Sequence, residues 1–279
     1  MTDLIPPEEI SKLRAMLIDQ VEKADPDGTA EVALSGGTDS ATVLFAALAS
    51  GRRPRCMTFH VEGNVSEDLQ AARRITSHFG LELSEITIPW NEEQLVKDIR
   101  YLVSKAHVIK KTVIQCMHPW LYIYPAMRSG TILSGLGADD YYCSDKRAAI
   151  HLHKGGEARL LEYGYRVSDS KNLNYSDGNS IAFAATFGKQ NIDIYGRQDI
   201  EDWFKQWKIK QLHAPVQKYP SLKAFEEYFT QGAFRRLQSP YQINSGLRDY
   251  HETLLTSKYN TRGLQDMIGI YTDIAKGVI

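Results

Sequence analysis

The stretch that most constrains the fold of this chain is SGGTDS, Ser35–Ser40, which lies between two apolar segments. The segment before it, Ala30–Leu34, is short and apolar, which predicts a buried strand. The segment after it, Ala41–Ser50, is rich in alanine and leucine and is followed by Gly51, which predicts a helix. A strand, a glycine-rich turn and a helix in this order indicate an α/β fold.

This turn has the chemistry of an anion site. A helix N-terminus presents unpaired amide groups and the positive end of the helix dipole, and glycines let a ligand approach the backbone. Ser35 and Ser40 add hydroxyl groups. Asp39 would repel a phosphate unless a cation lay between them, so its presence predicts Mg²⁺. The residues alone leave open a turn in which Asp39 and Ser40 only cap the helix.

A second glycine turn follows a later strand. Three segments predict strands and one predicts a helix: Arg55–Phe59, Leu83–Ile88 and Thr131–Leu133, and Asp68–Phe79. Strands that alternate with helices indicate a parallel sheet. The last strand leads into SGLGADD, which ends in Asp139 and Asp140. Read alone, these two acids are a solvated helix cap, but two acidic glycine turns at the carboxyl ends of parallel strands favour a shared ligand site.

The charge balance weighs against one class of function. Lys+Arg number 33 and Asp+Glu 34, a net charge of -1, whereas a non-specific nucleic-acid binder needs a basic surface. No apolar run approaches the roughly 20 residues that span a bilayer, and the N-terminus has no signal-peptide pattern. Three cysteines lie too far apart for a disulfide framework or a zinc pair: Cys56, Cys116 and Cys143. We expect a cytoplasmic protein that does not bind membranes. Nucleic acid is disfavoured as a partner, although the sequence leaves it open.

SGGTDS resembles the SGGxDS pyrophosphate loop of the N-type ATP pyrophosphatases, the PP-loop family. Gly130–Asp145, GTILSGLGADDYYCSD, resembles the second turn, LSGEGSDE, of the asparagine synthetases and β-lactam synthetases. The resemblance runs from about Glu31 to about Gly246. It implies an adenine nucleotide alpha hydrolase-like α/β fold, with a parallel central sheet of about five strands flanked by helices and a helical C-terminal part. It also implies one asparagine synthetase-like domain over residues 1–279, with an N-terminal helix in 1–28, an ATP-binding core in 29–200 and the helical part in 201–279.

The same resemblance implies ATP and Mg²⁺ as cofactors and assigns roles by position. The residues that would contact the pyrophosphate are Ser35, Gly36, Gly37 and Ser40. Those that would contact the adenine are Leu34 and Val61, and two further residues that would contact ATP are Ser134 and Gly135. The Mg²⁺ ligands would be Asp39 and Asp139. The catalytic residues would be Asp139, Asp140, Arg235 and Arg236, with the arginines facing the α-phosphate.

Three departures from the asparagine synthetase pattern bear on function. Leu136 stands where that family has a glutamate that assists the attack of ammonia, and leucine cannot accept a proton. Gln238 and Ser239 stand where the family has a lysine near the α-phosphate. KQNID, Lys189–Asp193, stands where relatives have E-x-R-x-P. A pocket for aspartate would keep that arginine to pair with a carboxylate, so aspartate is not expected as the substrate.

The resemblance implies adenylation of a small-molecule carboxylate with release of pyrophosphate, followed by amide formation. Thr2 stands where a glutaminase domain would carry its cysteine nucleophile, so no glutaminase domain is expected. The nitrogen would come from ammonia, from another amine or through a separate glutaminase or partner subunit, and a homodimer is left open. Two alternatives remain: a PP-loop enzyme that activates a base in a nucleotide or nucleic acid, and a catalytically degenerate ATP-binding or scaffold subunit.

Overall fold

The computed structural model describes residues 4–144, 146–162, 172–231, 234, 245–259 and 266–278. Five strands form one parallel sheet in the order β3-β2-β1-β4-β5, which confirms the predicted fold class. The strands are β1 Glu31–Ala33, β2 Cys56–Val61, β3 Leu83–Ile88, β4 Thr131–Ser134 and β5 Gln190–Asp193.

Helices connect and cover the strands. They are α1 Pro7–Ala24, α2 Thr38–Ala49, α3 Glu67–Phe79, α4 Glu92–Lys105, α5 Lys111–Ala126, α6 Ala138–Tyr142, α7 Lys146–Glu162, α8 Ser176–Phe183, α9 Gln198–Lys205, α10 Ile209–Leu212, α11 Tyr219–Ala224, α12 Glu226–Gln231, α13 Leu247–Tyr259 and α14 Met267–Ala275. A 3₁₀ turn, Ala184–Phe187, follows α8. Over the described residues, no helix combines the length and apolarity that crossing a membrane requires.

Local chemistry explains where several helices begin. α1 starts with Pro7, whose fixed φ suits the first helical position, and with acidic residues in its first turn. The Ser66 hydroxyl accepts a hydrogen bond from the amide of Leu69 at the start of α3. The Asn91 side chain caps α4 in the same way. These caps satisfy amides that would otherwise lack a partner, and they set the boundaries of the helices that flank the sheet.

The sheet separates two clusters of buried apolar side chains. Val32 and Leu133 belong to the cluster that includes side chains of α1, α2 and α9. Met57 and Ile132 belong to the other, which includes side chains of α4, α5, α8, α13 and α14. Successive residues of a strand point to opposite faces, so β1, β2 and β4 each contribute to both clusters. Burial on both faces explains why β2 is apolar over most of its length, whereas the outer strands β3 and β5 carry exposed polar residues.

The position of β1 fixes where a ligand can bind. Val32 of β1 pairs with Cys56 on one side and with Leu133 on the other. The chain runs from β1 outward to β2 and β3, then returns to add β4 and β5 on the opposite side of β1. The order of strands therefore reverses between β1 and β4. In open α/β sheets, ligands bind in the crevice outside the carboxyl ends of the strands at this switch point.

A buried polar chain attaches the two C-terminal helices to the rest of the fold. The Tyr271 hydroxyl on α14 and His251 Nδ1 on α13 are 2.8 Å apart. His251 Nε2 lies 2.9 Å from His118 Nδ1 on α5, and His118 Nε2 lies 3.0 Å from Asp98 on α4. In one arrangement that satisfies every contact, each histidine donates from Nε2 and Tyr271 donates to His251. Both imidazoles are fully buried.

We expect this chain of hydrogen bonds to make stability fall in acid. Burial lowers the pKa of His251 well below its ordinary value. Below about pH 6.5, His251 takes up a proton in the unfolded state but not in the folded state. The free energy of unfolding therefore decreases as the pH is lowered. One such group contributes a slope of up to about 1.4 kcal/mol per pH unit. Urea unfolding between about pH 5 and pH 8 measures this slope.

The matched variants are His251→Gln and His153→Gln. Glutamine can donate to His118 and accept from Tyr271 without titrating, so the first variant should lose most of this slope. His153 is exposed on α7, and its replacement should leave the slope unchanged. Equal slopes in wild type and His251→Gln would refute the assignment.

Candidate active site

The first glycine turn joins β1 to α2 in a conformation that requires glycine. Gly36 has φ +74°, and a Cβ added there would lie 2.3 Å from the Cβ of Ala71 on α3. No side chain fits in that space, and the backbone angle is one that side chains disfavour. The turn therefore lies directly on α3. α2 begins at Thr38, three residues earlier than the sequence predicts, so Asp39 and Ser40 belong to its first turn.

The polar groups of this turn are arranged around the N-terminus of α2. The amide of Ser35 donates to the Ser40 hydroxyl at 3.2 Å, and the amide of Gly37 donates to the Ser35 hydroxyl at 3.3 Å. The two hydroxyls lie 3.1 Å apart. Gly37 is the N-cap of α2, and no side chain caps the helix. The Ser40 hydroxyl also donates to the carbonyl of Gly37 at 3.2 Å. The first amides of the helix are thus available to an anion at the positive end of the helix dipole, and both hydroxyls lie beside them.

The second glycine turn joins β4 to α6 and touches the first. A Cβ added to Gly135 would lie 3.0 Å from the backbone carbonyl group of Asp39. The pairing of β1 with β4 brings the two turns side by side, and the missing side chain at Gly135 lets them meet. Asp39 and Asp139, in the first turns of α2 and α6, therefore belong to one site at the switch point of the sheet.

A lysine that the sequence does not single out completes this site. The ammonium of Lys218 lies 2.5 Å from Oδ2 of Asp39 and 2.6 Å from Oδ1 of Asp139. Its side chain is only 3% exposed. Burial lowers the pKa of Lys218, but the charges of Asp139 and Asp39 outweigh burial and raise that pKa above its ordinary value. Lys218 is therefore a buried cation that pairs with both carboxylates.

The carboxylate of Asp39 is the less favourably placed of the two. Burial raises the pKa of Asp39 to about 6, although the charge of Lys218 opposes this change. Its Oδ1 atom is buried and has no hydrogen-bond partner among the described residues. A buried carboxylate oxygen without a donor is costly, which indicates that a ligand supplies its partner.

The backbone of Lys218 is held in an unusual conformation. Its φ of 57° lies in the left-handed region, which residues other than glycine rarely adopt. The Lys218 amide donates to His213 Nδ1 at 3.3 Å, and His213 Nε2 donates to the carbonyl of Tyr142 at 2.7 Å. Burial lowers the pKa of His213, in keeping with a neutral ring that accepts at Nδ1. His213 thus links the backbone of Lys218 to α6, the helix that carries Asp139.

A buried cluster of hydroxyl groups supports this link. The Tyr142 hydroxyl lies 2.6 Å from the hydroxyl of Ser221 on α11, and the Tyr195 hydroxyl lies 3.1 Å from the same group. All three side chains are buried. The ring centre of Tyr142 also lies 5.5 Å from the Lys218 ammonium, within range of a cation–π interaction. The elements that carry Asp139 and Lys218 are therefore fastened to each other.

The other sequence-predicted residues lie at the same edge of the sheet or outside the described residues. Leu34 and Val61 are buried at the carboxyl ends of β1 and β2. The Ser134 hydroxyl donates to Asn191 on β5, so it points into the fold. Asp140 follows Asp139 in α6. The remaining predicted positions lie outside the described residues: Arg235, Arg236, Gln238 and Ser239.

Leu136 and Asp193 define the chemistry beside the second turn. Leu136 packs against the apolar cluster that contains Met57 and Ile132, so no proton acceptor stands at that position. Asp193, at the end of β5, pairs in register with Ser134 and accepts a hydrogen bond from the amide of Tyr195. Asp193 is a third carboxylate at this edge of the sheet. The signal that could have identified it in the sequence is its position at the end of a strand.

The residues present fit a magnesium ion that arrives with a nucleotide. Asp39 and Asp139 already direct oxygen atoms at one cation. Within the described ranges, no group of three or more histidine, cysteine, aspartate or glutamate side chains could hold a metal. Mg²⁺ commonly binds one or two carboxylates and takes its other ligands from water and substrate phosphates. The two carboxylates therefore suit a metal–nucleotide complex better than a metal alone.

Comparison with known proteins identifies the family of this chain. A search of curated proteins finds no match. Among solved structures, the NMN synthetase from Francisella tularensis is 18% identical, with 86% of this chain and 100% of that chain covered and a TM-score of 0.37. A model of the asparagine synthase family matches residues 12–251. Because this match spans most of the sequence, the chain belongs to the asparagine synthase family, a family of ATP-dependent synthetases.

Proposed function

We propose that this chain is an ATP-dependent ligase that adenylates a small-molecule carboxylate, releases pyrophosphate and then forms an amide with ammonia or another amine. The observation that carries the proposal is the meeting of Asp39 and Asp139 at Lys218, beside the uncapped N-terminus of α2. One site thus offers donors for a pyrophosphate, carboxylates for a metal and a cation for the reacting phosphate.

In the first step, a carboxylate oxygen attacks the α-phosphorus and the bond to the pyrophosphate breaks. The amides of the first glycine turn and the hydroxyls of Ser35 and Ser40 would hold the pyrophosphate as its charge grows. Asp39 and Asp139 would hold Mg²⁺, which when bound neutralises charge on the phosphates. Lys218 would place its ammonium against the α-phosphate. Most of the acceleration would come from positioning and from charges fixed before the reaction.

In the second step, an amine nitrogen attacks the acyl carbon, AMP leaves and the nitrogen loses a proton. Leu136 cannot take this proton. We therefore propose that the amine binds in its uncharged form, and that its proton passes to another acceptor or to water. The missing arginine in Lys189–Asp193 supports a substrate other than aspartate.

The proposal is tested by measuring pyrophosphate release from ATP and Mg²⁺ with a panel of carboxylates and amines. We expect release that depends on one carboxylate, and a loss of about 100-fold or more in Asp39→Asn. Asp27→Asn is the matched control, since Asp27 is exposed in the loop before β1. Release only with RNA or DNA, or ATP binding without release in every mixture, would refute the ligase and favour a base-modifying enzyme or a binding subunit.

A further inference from the structure

Lys218 occupies the place at which the two carboxylates would bind a metal. Its ammonium contacts Oδ2 of Asp39 and Oδ1 of Asp139 at hydrogen-bond distances and is almost completely buried. Two carboxylates held this close repel each other, and a positive charge placed between them relieves that repulsion. Lys218 supplies that charge from within the chain.

A metal ion and Lys218 cannot share these oxygens. Two cations bound to the same pair of carboxylates would lie within about 4 Å of each other, where they repel each other strongly at a partly buried site. The carboxylates alone are also too few to satisfy Mg²⁺. A metal bound to the phosphates of a nucleotide brings its remaining ligands and offers the displaced ammonium a new anionic partner.

The attachment of Lys218 suits such an exchange. His213 and the left-handed backbone hold its Cα against α6 and α11, whereas the four-carbon side chain is flexible. The N-terminus of α2, where phosphates would bind, begins at Thr38, next to Asp39. The ammonium can therefore move from a carboxylate to a phosphate while its backbone stays in place.

We propose that Lys218 is an exchangeable counter-ion, which neutralises Asp39 and Asp139 in the nucleotide-free protein and moves to the nucleotide when the metal–nucleotide complex enters. The inference rests on the proposed function for the identity of the ligand. Its consequence is an order of loading: Lys218 excludes a free divalent cation, and the metal enters with the nucleotide.

The test is a titration of the nucleotide-free protein with Mn²⁺ alone, in which electron paramagnetic resonance measures the bound and free metal. It is carried out at about pH 8, where carboxylates are ionised. Wild-type protein should bind Mn²⁺ only weakly, with a Kd above about 1 mM. Lys218→Met should bind one Mn²⁺ at least about tenfold more tightly, because its carboxylates have lost their counter-ion. The gain should disappear in Lys218→Met combined with Asp39→Asn.

Two controls separate this gain from general effects. Lys223→Met removes an exposed lysine from α11, the helix that follows Lys218 directly, and should bind Mn²⁺ as wild type does. Lys218→Gln repeats the test with a polar side chain if the methionine variant does not fold. Tight Mn²⁺ binding by nucleotide-free wild type, or no gain in a folded Lys218 variant, would overturn the proposal. The titration contains no substrate, so failure of the ligase reaction and failure of the counter-ion role are read from different measurements.

Discussion

Replacing Lys218 by methionine is expected to lower pyrophosphate release by about 100- to 1,000-fold while the protein still binds ATP. The ammonium is the cation that joins the two acidic turns, at 2.5 Å from Asp39 and 2.6 Å from Asp139. In the proposed reaction it stabilises charge that develops on the α-phosphate, which methionine cannot do. Because this interaction strengthens in the transition state, the loss should appear mainly in kcat.

The matched control is again Lys223→Met. Lys223 pairs with Glu226 on the surface, where an ion pair contributes little, so its loss should change kcat less than about twofold. Circular dichroism and thermal unfolding establish that both variants are folded. A folded Lys218→Met protein with wild-type kcat would show that Lys218 is not part of the catalytic machinery.

Replacing Gly36 by alanine is expected to destabilise the protein by roughly 2 to 4 kcal/mol and to abolish ATP binding. Two costs add at this position. The left-handed φ of +74° disfavours any side chain, and the new methyl group would lie 2.3 Å from the Cβ of Ala71. The turn would have to move off α3, which would displace the amides that are proposed to hold the pyrophosphate.

Gly51→Ala separates these two costs. Gly51 has φ +81°, but a Cβ there meets nothing within 4 Å. Its replacement should therefore cost only the backbone part, about 1 to 2 kcal/mol, and leave ATP binding intact. Urea unfolding and calorimetric titration with ATP measure both quantities. Equal losses of stability in the two variants would show that contact with Ala71 does not constrain the turn.

The glycine turns and the strands around them could be predicted because their signals are local. SGGTDS and SGLGADD each follow a short apolar run, and β3 is observed at Leu83–Ile88 as predicted. The meeting of Asp39 with Asp139 also follows from topology, because adjacent parallel strands place their carboxyl ends together. The predicted start of α2, Ala41, lies three residues after the observed start at Thr38, because Thr38 and Asp39 are equally typical of a turn.

Lys218 could not be predicted because nothing local distinguishes it. It is one of 33 lysine and arginine residues and lies 179 positions from Asp39 along the chain. The family pattern directed attention to Gln238 and Ser239 instead. The approach of Lys218 depends on the left-handed turn that His213 holds against α6, a contact between elements distant in sequence. The segment His213–Lys218 mixes apolar and polar residues without a regular spacing, so its sequence does not predict such a turn.

The central claim is that Asp39, Asp139 and Lys218 form the nucleotide–metal site, and a crystal structure tests it most directly. Crystals would be grown with a non-hydrolysable ATP analogue and Mn²⁺, whose anomalous scattering locates the metal. We predict Mn²⁺ bound to the carboxylates of Asp39 and Asp139, the analogue's phosphates at the N-terminus of α2, and the Lys218 ammonium on a phosphate oxygen. A nucleotide bound elsewhere, or Lys218 still paired with both carboxylates beside a bound nucleotide, would contradict the account.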